Sequence, residues 1–480
     1  MKVLLVNPAN VGKFGLQNVF QAEPLGLELI AAALKDDHDV RVQDLRWEPG
    51  FESRLASFSP DLVGISCLYT SHVGSTWELA ERVKRWNPSA TVVVGGQPPT
   101  LAPELFASPH VDQVVLGDGE KVMPELCRAL ESGEGLDAIE DLVINGGPTG
   151  QSTPRRSTKP KDLASVPRPW RAVPGIDRGK HYLAFTRPIA LVEINRGCPF
   201  DCDFCSIWKM GEGRLRSRQV DEAVAELASV AERDVFFTDD HFFANPKLMN
   251  ELGQAIVAAD LDKHFKVQSR SDVFIKHPEL IDTWAKAGLK QVFLGLEGHS
   301  DARLEDVRKR TDANANETAI ERLTAAGIGV VGNLMVDPTF TREEFQQLRD
   351  YVADKELAAA AYCVATPFPG TDLWERRKGS ITSWDFELYD IQHAVTETTL
   401  PLPEFYEEYT ECWKARAELQ PPDPLSAKLR RIGQMVFRDG INFELLKNVR
   451  RFDRDVARPE AYLEDHAAER PSPWASARVA

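Results

Sequence analysis

The sequence predicts an α/β protein: a doubly wound Rossmann-like domain at the N-terminus, then a (βα)6 partial TIM barrel, then a helical C-terminal region. Short apolar runs alternate with helical patterns over residues 1–145 and again over residues 186–375, which is typical of parallel sheets. Residues 146–185 are rich in Gly, Pro, Ser, Thr and Arg, as linkers are. Residues 376–480 show a helical pattern with many aromatic and charged residues.

Composition and charge exclude several classes of function. The 480 residues are 43% hydrophobic and 27% charged, which suits a protein with a substantial core. The net charge of -16 would repel a phosphate backbone, so we expect no nucleic acid partner. The first apolar run, Val3–Val6, is too short for a signal peptide, and no apolar stretch is long enough to span a bilayer. The sequence therefore predicts a cytoplasmic protein.

The first series of apolar runs predicts buried parallel strands at Val3–Val6, Val40–Val42, Leu62–Ser66, Thr91–Val94 and Val114–Leu116. Ligands of such sheets bind beyond the carboxyl ends of the strands. Here those ends carry glycines and small polar residues, which let a ligand approach the backbone closely. The candidate ligand-binding residues at these ends are Leu68, Tyr69, Thr70, Gly95, Gly96, Gln97, Gly117 and Glu120.

The second series predicts six strands, each followed by a helical pattern, at Ile189–Ile194, Val235–Phe237, Phe265–Gln268, Gln291–Leu296, Gly329–Met335 and Ala361–Ala365. Six such units indicate a full or partial barrel, in which chemistry takes place at the carboxyl ends of the strands. The polar and cysteine motifs of this half of the chain follow those ends.

Three of the seven cysteines, Cys198, Cys202 and Cys205, lie within eight residues in the spacing C-x3-C-x2-C. Thiolates are soft ligands that suit iron–sulfur clusters or zinc. Three thiolates leave one iron of a four-iron cluster open to a substrate. The alternatives are an electron-transfer cluster or a structural zinc site, and structural zinc normally takes four protein ligands. No fourth Cys or His is close in sequence, since His181 precedes the first strand and His241 follows the second.

The spacing Cys198-x3-Cys202-x-Phe204-Cys205 resembles the signature of the radical S-adenosylmethionine (radical SAM) superfamily. The resemblance covers about residues 186–375 and implies a 4Fe-4S cluster whose open iron binds S-adenosylmethionine. Reductive cleavage of that cofactor gives a 5′-deoxyadenosyl radical. At the strand ends it implies contacts to the amino group, the carboxylate and the ribose of S-adenosylmethionine. The residues implied in binding this cofactor are Phe204, Asp239, Asp240, Arg270, Glu297 and Asn333.

The Rossmann-like domain ahead of the barrel, and the linker Asp162–Trp170, resemble the cobalamin-binding class of that superfamily. The resemblance implies cobalamin as a further cofactor, bound by the strand-end residues of the N-terminal domain. The cobalt-binding motif D-x-H-x-x-G is absent. His38 lies in a turn before a strand, whereas His72 lies in the loop that would face the lower side of the corrin. The alternative is an inherited domain that binds nothing.

Within this class the chain most resembles hopanoid C-3 methylases, through Glu23–Leu29, Tyr389–Val395 and Leu400–Glu408. The resemblance implies C-methylation of an unactivated carbon, of a hopanoid at C-3 or of another natural product. It also implies a flavodoxin or ferredoxin as electron donor. The alternatives are a radical oxidative cyclase or rearrangement enzyme with the same cofactors, and a non-catalytic iron–sulfur or zinc protein. Antibiotic-pathway C-methylases share much of the architecture.

The C-terminal region mixes aromatic residues with a basic amphipathic segment, Lys428–Arg454. The aromatics are typical of helical core packing, and some are expected to cap the barrel and keep a radical away from water. The basic segment suits either a solvated helix against the barrel or weak contact with an anionic membrane surface. A membrane-dissolved triterpenoid substrate would favour the second interpretation and a peripheral position on the inner membrane face.

Overall fold

The computed structural model describes residues 1–14, 19–146, 150–154, 156, 163–184, 186–420 and 443–470. It confirms the α/β class, with two six-stranded sheets in the order in which the sequence predicts them. The segment that links them, like the C-terminal basic segment, lies partly outside the described residues.

The sheet of the N-terminal domain has the order β2-β1-β3-β4-β5-β6 and is parallel except for β6. Its strands are nearly all apolar and buried, as expected for strands covered on both faces. The edge strand β6 was not among the predicted strands; it directly precedes the Gly- and Pro-rich linker. The strands are β1 (Lys2–Asn7), β2 (Asp39–Asp44), β3 (Leu62–Ser66), β4 (Thr91–Gly95), β5 (Gln113–Val115) and β6 (Leu142–Ile144).

Helices cover both faces of this sheet, so the domain is doubly wound as predicted. One buried cluster joins α1 and α5 to one face, and another joins α2 and α3 to the other. The switch in strand order between β1 and β3 places a ligand crevice at their carboxyl ends. The helices are α1 (Leu25–Leu34), α2 (Phe51–Phe58), α3 (Val73–Trp86), α4 (Gln97–Leu101) and α5 (Gly119–Ser132).

The second sheet is the predicted partial barrel, with six parallel strands in sequential order. In β9, β10 and β11 fully buried residues, which pack on the helices, alternate with half-buried residues on the concave face. The strands are β7 (Ile189–Val192), β8 (Asp234–Phe237), β9 (His264–Ser269), β10 (Leu289–Glu297), β11 (Gly329–Val336) and β12 (Ala361–Val364).

Nine helices of the described part of this region lie between these strands or after the last of them. They are α6 (Ile207–Met210), α7 (Val220–Ser229), α8 (Pro246–Ala258), α9 (Val273–Lys276), α10 (Glu279–Ala287), α11 (Asp301–Asp306), α12 (Ala313–Ala325), α13 (Arg342–Asp354) and α14 (Asp372–Arg377).

The C-terminal region becomes regularly helical later than predicted. Residues 378–401 contain two 3-10 turns and extended backbone, and Ile391 accepts a hydrogen bond from the Val364 N–H of β12. The backbone of this segment therefore hydrogen-bonds to the edge of the barrel instead of forming a helix. The helices that follow are α15 (Leu402–Glu418), α16 (Phe443–Asp455) and α17 (Pro459–Ala467).

Most of the C-terminal aromatic residues are core residues. Phe405, Tyr406, Tyr409 and Trp413 of α15 are buried against the outside of the barrel. Only the part of the predicted basic segment from residue 443 lies within the described residues. There α16 buries Leu445 and Val449 near Tyr182 and turns Lys447 and Arg450 outward. None of the described helices has the length and apolarity needed to cross a bilayer.

An ionic network holds the N-terminal domain against the barrel. Glu23, just before α1, accepts hydrogen bonds from Arg171 Nη1 and from the Leu191 N–H of β7, both at 2.6 Å. Arg171 also donates to Glu226 of α7 at 2.8 Å. Arg178 also pairs with Glu23 and extends the network to two further carboxylates, those of Glu28 and Glu232. The motif Glu23–Leu29 is therefore part of a domain interface.

Glu28 is the least well neutralised carboxylate of this network. One of its oxygens has no hydrogen-bond partner, and the other lies 3.3 Å from Arg178 Nη1. Burial, together with the nearby Glu23, raises the pKa of Glu28 from 4.5 to about 8. Since the folded state holds this proton more tightly than the unfolded chain, its contribution to stability is complete below pH 4.5. That contribution is lost as the pH rises through about 8.

Glu28→Gln should therefore flatten the fall in unfolding free energy between about pH 5 and pH 8. We expect the melting temperature of this variant at pH 8.5 to exceed that of the wild type by roughly 2–4 °C, with a smaller difference at pH 5. Thermal unfolding followed by circular dichroism measures both. Glu321→Gln, on the exposed face of α12, is the control and should give wild-type curves at both pH values.

Candidate active site

The cysteine loop leaves the barrel through a short hairpin, in which Asn195–Arg196 pairs with Arg216–Ser217. Gly197, which follows the first of these strands, has a φ of +93°. A Cβ atom at this position would lie 2.3 Å from the Arg214 carbonyl oxygen, so the hairpin can close only with glycine here. The local sequence thus presents Cys198, Cys202 and Cys205 at the carboxyl end of β7.

The three thiols lie in a poorly hydrated environment. Cys202 is buried, and Cys198 and Cys205 are half-buried. Burial raises the pKa of all three thiols, that of Cys205 to about 12. A metal must therefore displace their protons in order to bind. In the described ranges no three His, Cys, Asp or Glu side chains are placed to hold a single metal ion.

Arg270, at the end of β9, is buried beside the cysteine loop. Its Nη1 lies 4.0 Å from Cys202 Sγ, and its guanidinium stacks 3.8 Å from the ring centre of Phe200. Nε donates to Asp272 at 3.0 Å, and Nη2 donates to the Lys309 carbonyl at 2.6 Å. The guanidinium is therefore fixed next to the thiols, and its contact with the cofactor carboxylate stays a prediction.

Glu297, at the end of β10, forms an ion pair with Lys309, whose Nζ is 2.7 Å from Glu297 Oε1. Lys309 is buried and lies near Cys202, where its charge and that of Arg270 oppose the rise that burial causes in the thiol pKa. Sequence analysis did not single out Lys309. The available signal was the basic triplet Arg308–Arg310, but its composition does not show which member turns inward.

The two aspartates after β8 take different positions. Both carboxylate oxygens of Asp239 accept backbone hydrogen bonds, from Ile194 at 3.0 Å and Asn195 at 2.7 Å, so Asp239 braces the strand that enters the cysteine loop. The side chain of Asp240 is exposed at the carboxyl end of β8. Its pKa is nevertheless raised to about 6, because the surrounding protein desolvates the carboxylate and the charge of Glu193 repels it. Its charge acts on Cys198 and Cys205, so Asp240 borders the thiolates.

Phe204 and Asn333 are the remaining residues that the sequence predicts around S-adenosylmethionine. Phe204 is half-buried within the cysteine loop itself. Asn333 is half-buried on the concave face of β11 and pairs in register with Gly295 of β10. The structure therefore brings Asp240, Arg270 and Glu297 together around the thiols, with Asn333 on the neighbouring strand.

The carboxyl ends of β3 and β4 form a second candidate surface. Leu68 is 48% exposed, one of only two large apolar side chains in the described residues to be so open. Tyr69 is half-buried and Thr70 buried, as the chain turns into α3. Gly95 and Gly96 end β4, and a Cβ atom at Gly96 would lie 2.1 Å from the Cys67 carbonyl. Glycine is therefore required at position 96 by the close packing of the loop after β4 against the loop after β3.

Two of the predicted ligand-binding residues of this surface make contacts with the barrel. Gln97 Nε2 donates to the hydroxyl of Ser206, directly after Cys205. Glu120 accepts from Arg196 Nη1 at 2.6 Å. Gly117 adopts a φ of +73°, and its N–H donates to Thr100 at 2.9 Å, which ties the turn after β5 to the turn after β4. The two turns thus face the cysteine loop.

The two histidines considered as cobalt ligands also differ in position. His38 lies at the amino ends of β1 and β2, at the opposite end of the sheet from the ligand crevice, with its Nδ1 3.3 Å from the Met1 amino group. His72 is buried in the turn after Leu68, and neither of its ring nitrogens has a hydrogen-bond partner. Burial lowers the pKa of His72 to about 4, so the ring is neutral at pH 7.

Comparison with known proteins gives two family matches, one in each half of this site. A B12 binding domain matches residues 17–127, and the Radical SAM superfamily matches residues 192–352. The chain is 31% identical to the hopanoid C-3 methylase of Methylococcus capsulatus, over 97% of this chain and 89% of that protein. It is 30% identical to an uncharacterised methyltransferase of Pyrococcus horikoshii, over 78% of this chain and 83% of that protein.

The fold is also similar to that of a solved structure. The radical S-adenosylmethionine methyltransferase TsrM from Kitasatospora setae, with cobalamin and a [4Fe-4S] cluster bound, matches with a TM-score of 0.70. The alignment covers 97% of this chain and 99% of that chain at 18% identity. This likeness concerns the fold alone.

The residues present fit both cofactors. For the cluster, the fit rests on three thiols beside Arg270 and Lys309, whose positive charges favour thiolates. For cobalamin, it rests on the open side chain of Leu68 at the carboxyl end of β3, which offers an apolar contact at the strand ends of the domain that matches the B12 binding domain. The buried, neutral His72 behind it leaves no charge to be desolvated there.

Replacement of Cys198, Cys202 or Cys205 with Ala should abolish the brown chromophore of the anaerobically reconstituted protein, or its spectral response to S-adenosylmethionine. Each thiolate supplies one bond to iron, so loss of one opens the cluster. Visible absorption and electron paramagnetic resonance (EPR) spectra test this. Cys127→Ala, at a buried cysteine in α5, is the matched control and should keep the wild-type spectra. Full cleavage of S-adenosylmethionine by the triple Ala variant would contradict the assignment.

Leu68→Asp should lower cobalamin retention by about tenfold, because it places a charge against an apolar cofactor face. Hydroxocobalamin that remains bound after gel filtration is measured by absorption. Val257→Asp is the matched control, since Val257 is 47% exposed but lies on α8 at the outside of the barrel. Equal retention by the two variants would show that Leu68 does not face the cofactor.

Proposed function

Because the chain belongs to the family of cobalamin-dependent radical S-adenosylmethionine methyltransferases that includes hopanoid C-3 methylase, we propose that it methylates an unactivated carbon of a small-molecule natural product. The specific candidate is C-3 of a hopanoid. The single observation that carries the proposal is the 31% identity to the hopanoid C-3 methylase over 97% of this chain. Its extent covers the C-terminal region as well as the two cofactor domains.

The protein residues act by placement and exclusion. Cys198, Cys202 and Cys205 hold the 4Fe-4S cluster, with Asp240 and Arg270 beside them to take the amino and carboxylate groups of S-adenosylmethionine. The strand ends with Leu68, Tyr69, Thr70, Gly95, Gly96 and Gly117 take cobalamin. When bound, these cofactors supply a 5′-deoxyadenosyl radical and a transferable methyl group.

Closure of the barrel protects this chemistry from water. Residues of α1 and of the linker, among them Leu25 and Leu163, cover the concave face of the sheet near Leu191 and Phe236. The segment at 378–401 lies along the β12 edge, where the Gln392 amide donates to the Tyr362 carbonyl at 3.0 Å. A reactive intermediate is thereby kept from solvent on two sides.

Incubation of the reconstituted holoprotein with methyl-labelled S-adenosylmethionine, a reductant and a hopanoid in lipid vesicles tests the function. We expect 5′-deoxyadenosine and a hopanoid that carries the label at C-3. A water-soluble substrate that is labelled while the hopanoid is not would support an antibiotic-pathway type of methylase instead. Formation of 5′-deoxyadenosine with no label in any product would contradict methylation and support the radical cyclase alternative.

A membrane-dissolved substrate would also require contact with a lipid surface, and we include weak peripheral contact in the proposal. Its support is the exposed basic face of α16, with Lys447, Arg450 and Arg454, since the apolar face of that helix is already buried. Contact would then be electrostatic. In the same vesicle assay it predicts salt-sensitive sedimentation of the protein with anionic vesicles and none with neutral ones.

The electron donor is proposed to be a flavodoxin or ferredoxin that docks on the outer side of the cysteine loop. There Pro199 is exposed. Arg310 forms an ion pair with Asp201 at 2.6 Å, and 64% of the Arg310 side chain is exposed. Arg308 and Lys209 share the carboxylate of Asp372 nearby. We call Lys209, Arg308 and Arg310 the basic rim. Because the chain as a whole has a net charge of -16, this rim is a local site that can attract an acidic electron carrier.

Arg310→Glu should slow reduction of the cluster by flavodoxin hydroquinone by about fivefold, because it reverses one exposed charge of the rim. Stopped-flow absorption measures the rate. Reduction by the small methyl viologen cation should not be slowed. Arg233→Glu is the control, since Arg233 forms a comparable 2.6 Å exposed pair with Asp262 at the amino ends of β8 and β9. Equal flavodoxin rates for the two variants would contradict this docking site.

A further inference from the structure

The turn after β5 reaches across to the residues that precede the cysteine loop. Arg196 Nη1 donates to Asp118 at 2.7 Å and to Glu120 at 2.6 Å. Its Nε and Nη2 donate to Glu193 of the barrel at 2.9 and 2.7 Å. Arg216, on the partner strand of the hairpin, donates to both oxygens of Asp118 at 2.5 and 3.3 Å. We call Asp118, Glu120, Arg196 and Arg216 the interdomain latch.

The latch connects the two cofactor sites by very short paths. Arg196 is two residues before Cys198, in a strand that Asp239 braces from below. Asp118 lies in the turn at the carboxyl end of β5, which is tied through Thr100 to the Gly96 carbonyl. A displacement of one domain against the other would therefore disturb these ion pairs.

The chemistry of the latch suits a rigid joint better than a ligand site. The Arg196 guanidinium donates four hydrogen bonds to three carboxylates, and planar bidentate pairs fix both distance and angle. Burial alone would raise the pKa of Asp118, but Arg196 and Arg216 lower it well below its usual range, so it is ionised throughout the physiological range. The carboxylates of Asp118 and Glu120 are thus committed to the barrel.

From this geometry we propose that the interdomain latch sets the spacing between cobalamin and the 4Fe-4S cluster, with Arg196 and Asp118 as positioning residues. The inference rests on the proposed function, because it requires both cofactors to be bound. The latch residues hold the carboxyl edge of the N-terminal sheet at a fixed distance from the barrel mouth, so that a substrate carbon lies between the two sites. Reactions of this kind tolerate little misplacement of the reacting groups.

The dipolar splitting between two paramagnetic centres reports this spacing directly and needs no substrate. The holoprotein is prepared with cobalamin as cob(II)alamin and the cluster reduced, and its EPR spectrum is recorded. The wild type should give one well-defined splitting. Asp118→Asn and Arg196→Lys should bind both cofactors at wild-type stoichiometry but give a distribution of splittings at least about twofold wider. Asp118→Glu, which keeps the carboxylate, should restore a narrow one.

Arg218→Lys is the matched control. Arg218 is buried, follows the same hairpin and donates to the Val166 and Pro167 carbonyls of the linker instead of to the turn after β5. It should leave the splitting narrow, and a broadening equal to that of Arg196→Lys would attribute the effect to general loosening and overturn the proposal. An unchanged splitting in Asp118→Asn would also overturn it.

Loss of cobalamin from Asp118→Asn would overturn the proposal in a different way, by showing that the turn holds the cofactor itself. These outcomes are distinct from failure of the proposed function. Failure of methylation is seen as 5′-deoxyadenosine with no label in any product, and it leaves the wild-type splitting narrow. If the wild type took up no cluster or no cobalamin, no splitting would be seen in any variant.

Discussion

The ion pairs of Arg196 are the constraint on which the rest of the structure depends. Two cofactor sites on separate sheets can cooperate only if the sheets keep one relative position, and Arg196 joins them within two residues of Cys198, the first of the three clustered cysteines. Partly buried ion pairs lose stability to desolvation, but they are geometrically exact when several hydrogen bonds are made at once. Arg196 therefore fixes the relative position of the two sheets more than it stabilises the fold.

A second set of ion pairs joins the N-terminal domain to the barrel at another place in the interface. There Glu23 accepts hydrogen bonds from Arg171 and from a backbone N–H of β7, and Arg178 forms ion pairs with the nearby carboxylates. In both places side chains of the N-terminal domain end on the first strand of the barrel or just beyond it. The first barrel strand and its cysteine loop are thus held at two places by side chains from outside the barrel.

Much of the fold could be predicted from the sequence, because strand runs such as Val3–Val6 and the spacing Cys198-x3-Cys202-x2-Cys205 are local patterns. What could not be predicted depends on contacts between distant residues. Glu120 meets Arg196 from 76 positions away, and Asp118 meets Arg216 from 98. No composition or period reveals such pairs. For the same reason Lys309 was missed, and Gln97 and Glu120 were assigned only to a ligand although their described contacts join the domains.

The most direct test of a radical enzyme at this site is the EPR spectrum of the reduced cluster in the protein, reconstituted anaerobically and recorded with and without S-adenosylmethionine. We expect about four irons and one cobalamin per chain, and a cluster signal that changes shape when S-adenosylmethionine binds the open iron. A cluster signal that is identical in the presence and absence of S-adenosylmethionine would contradict a radical enzyme at this site.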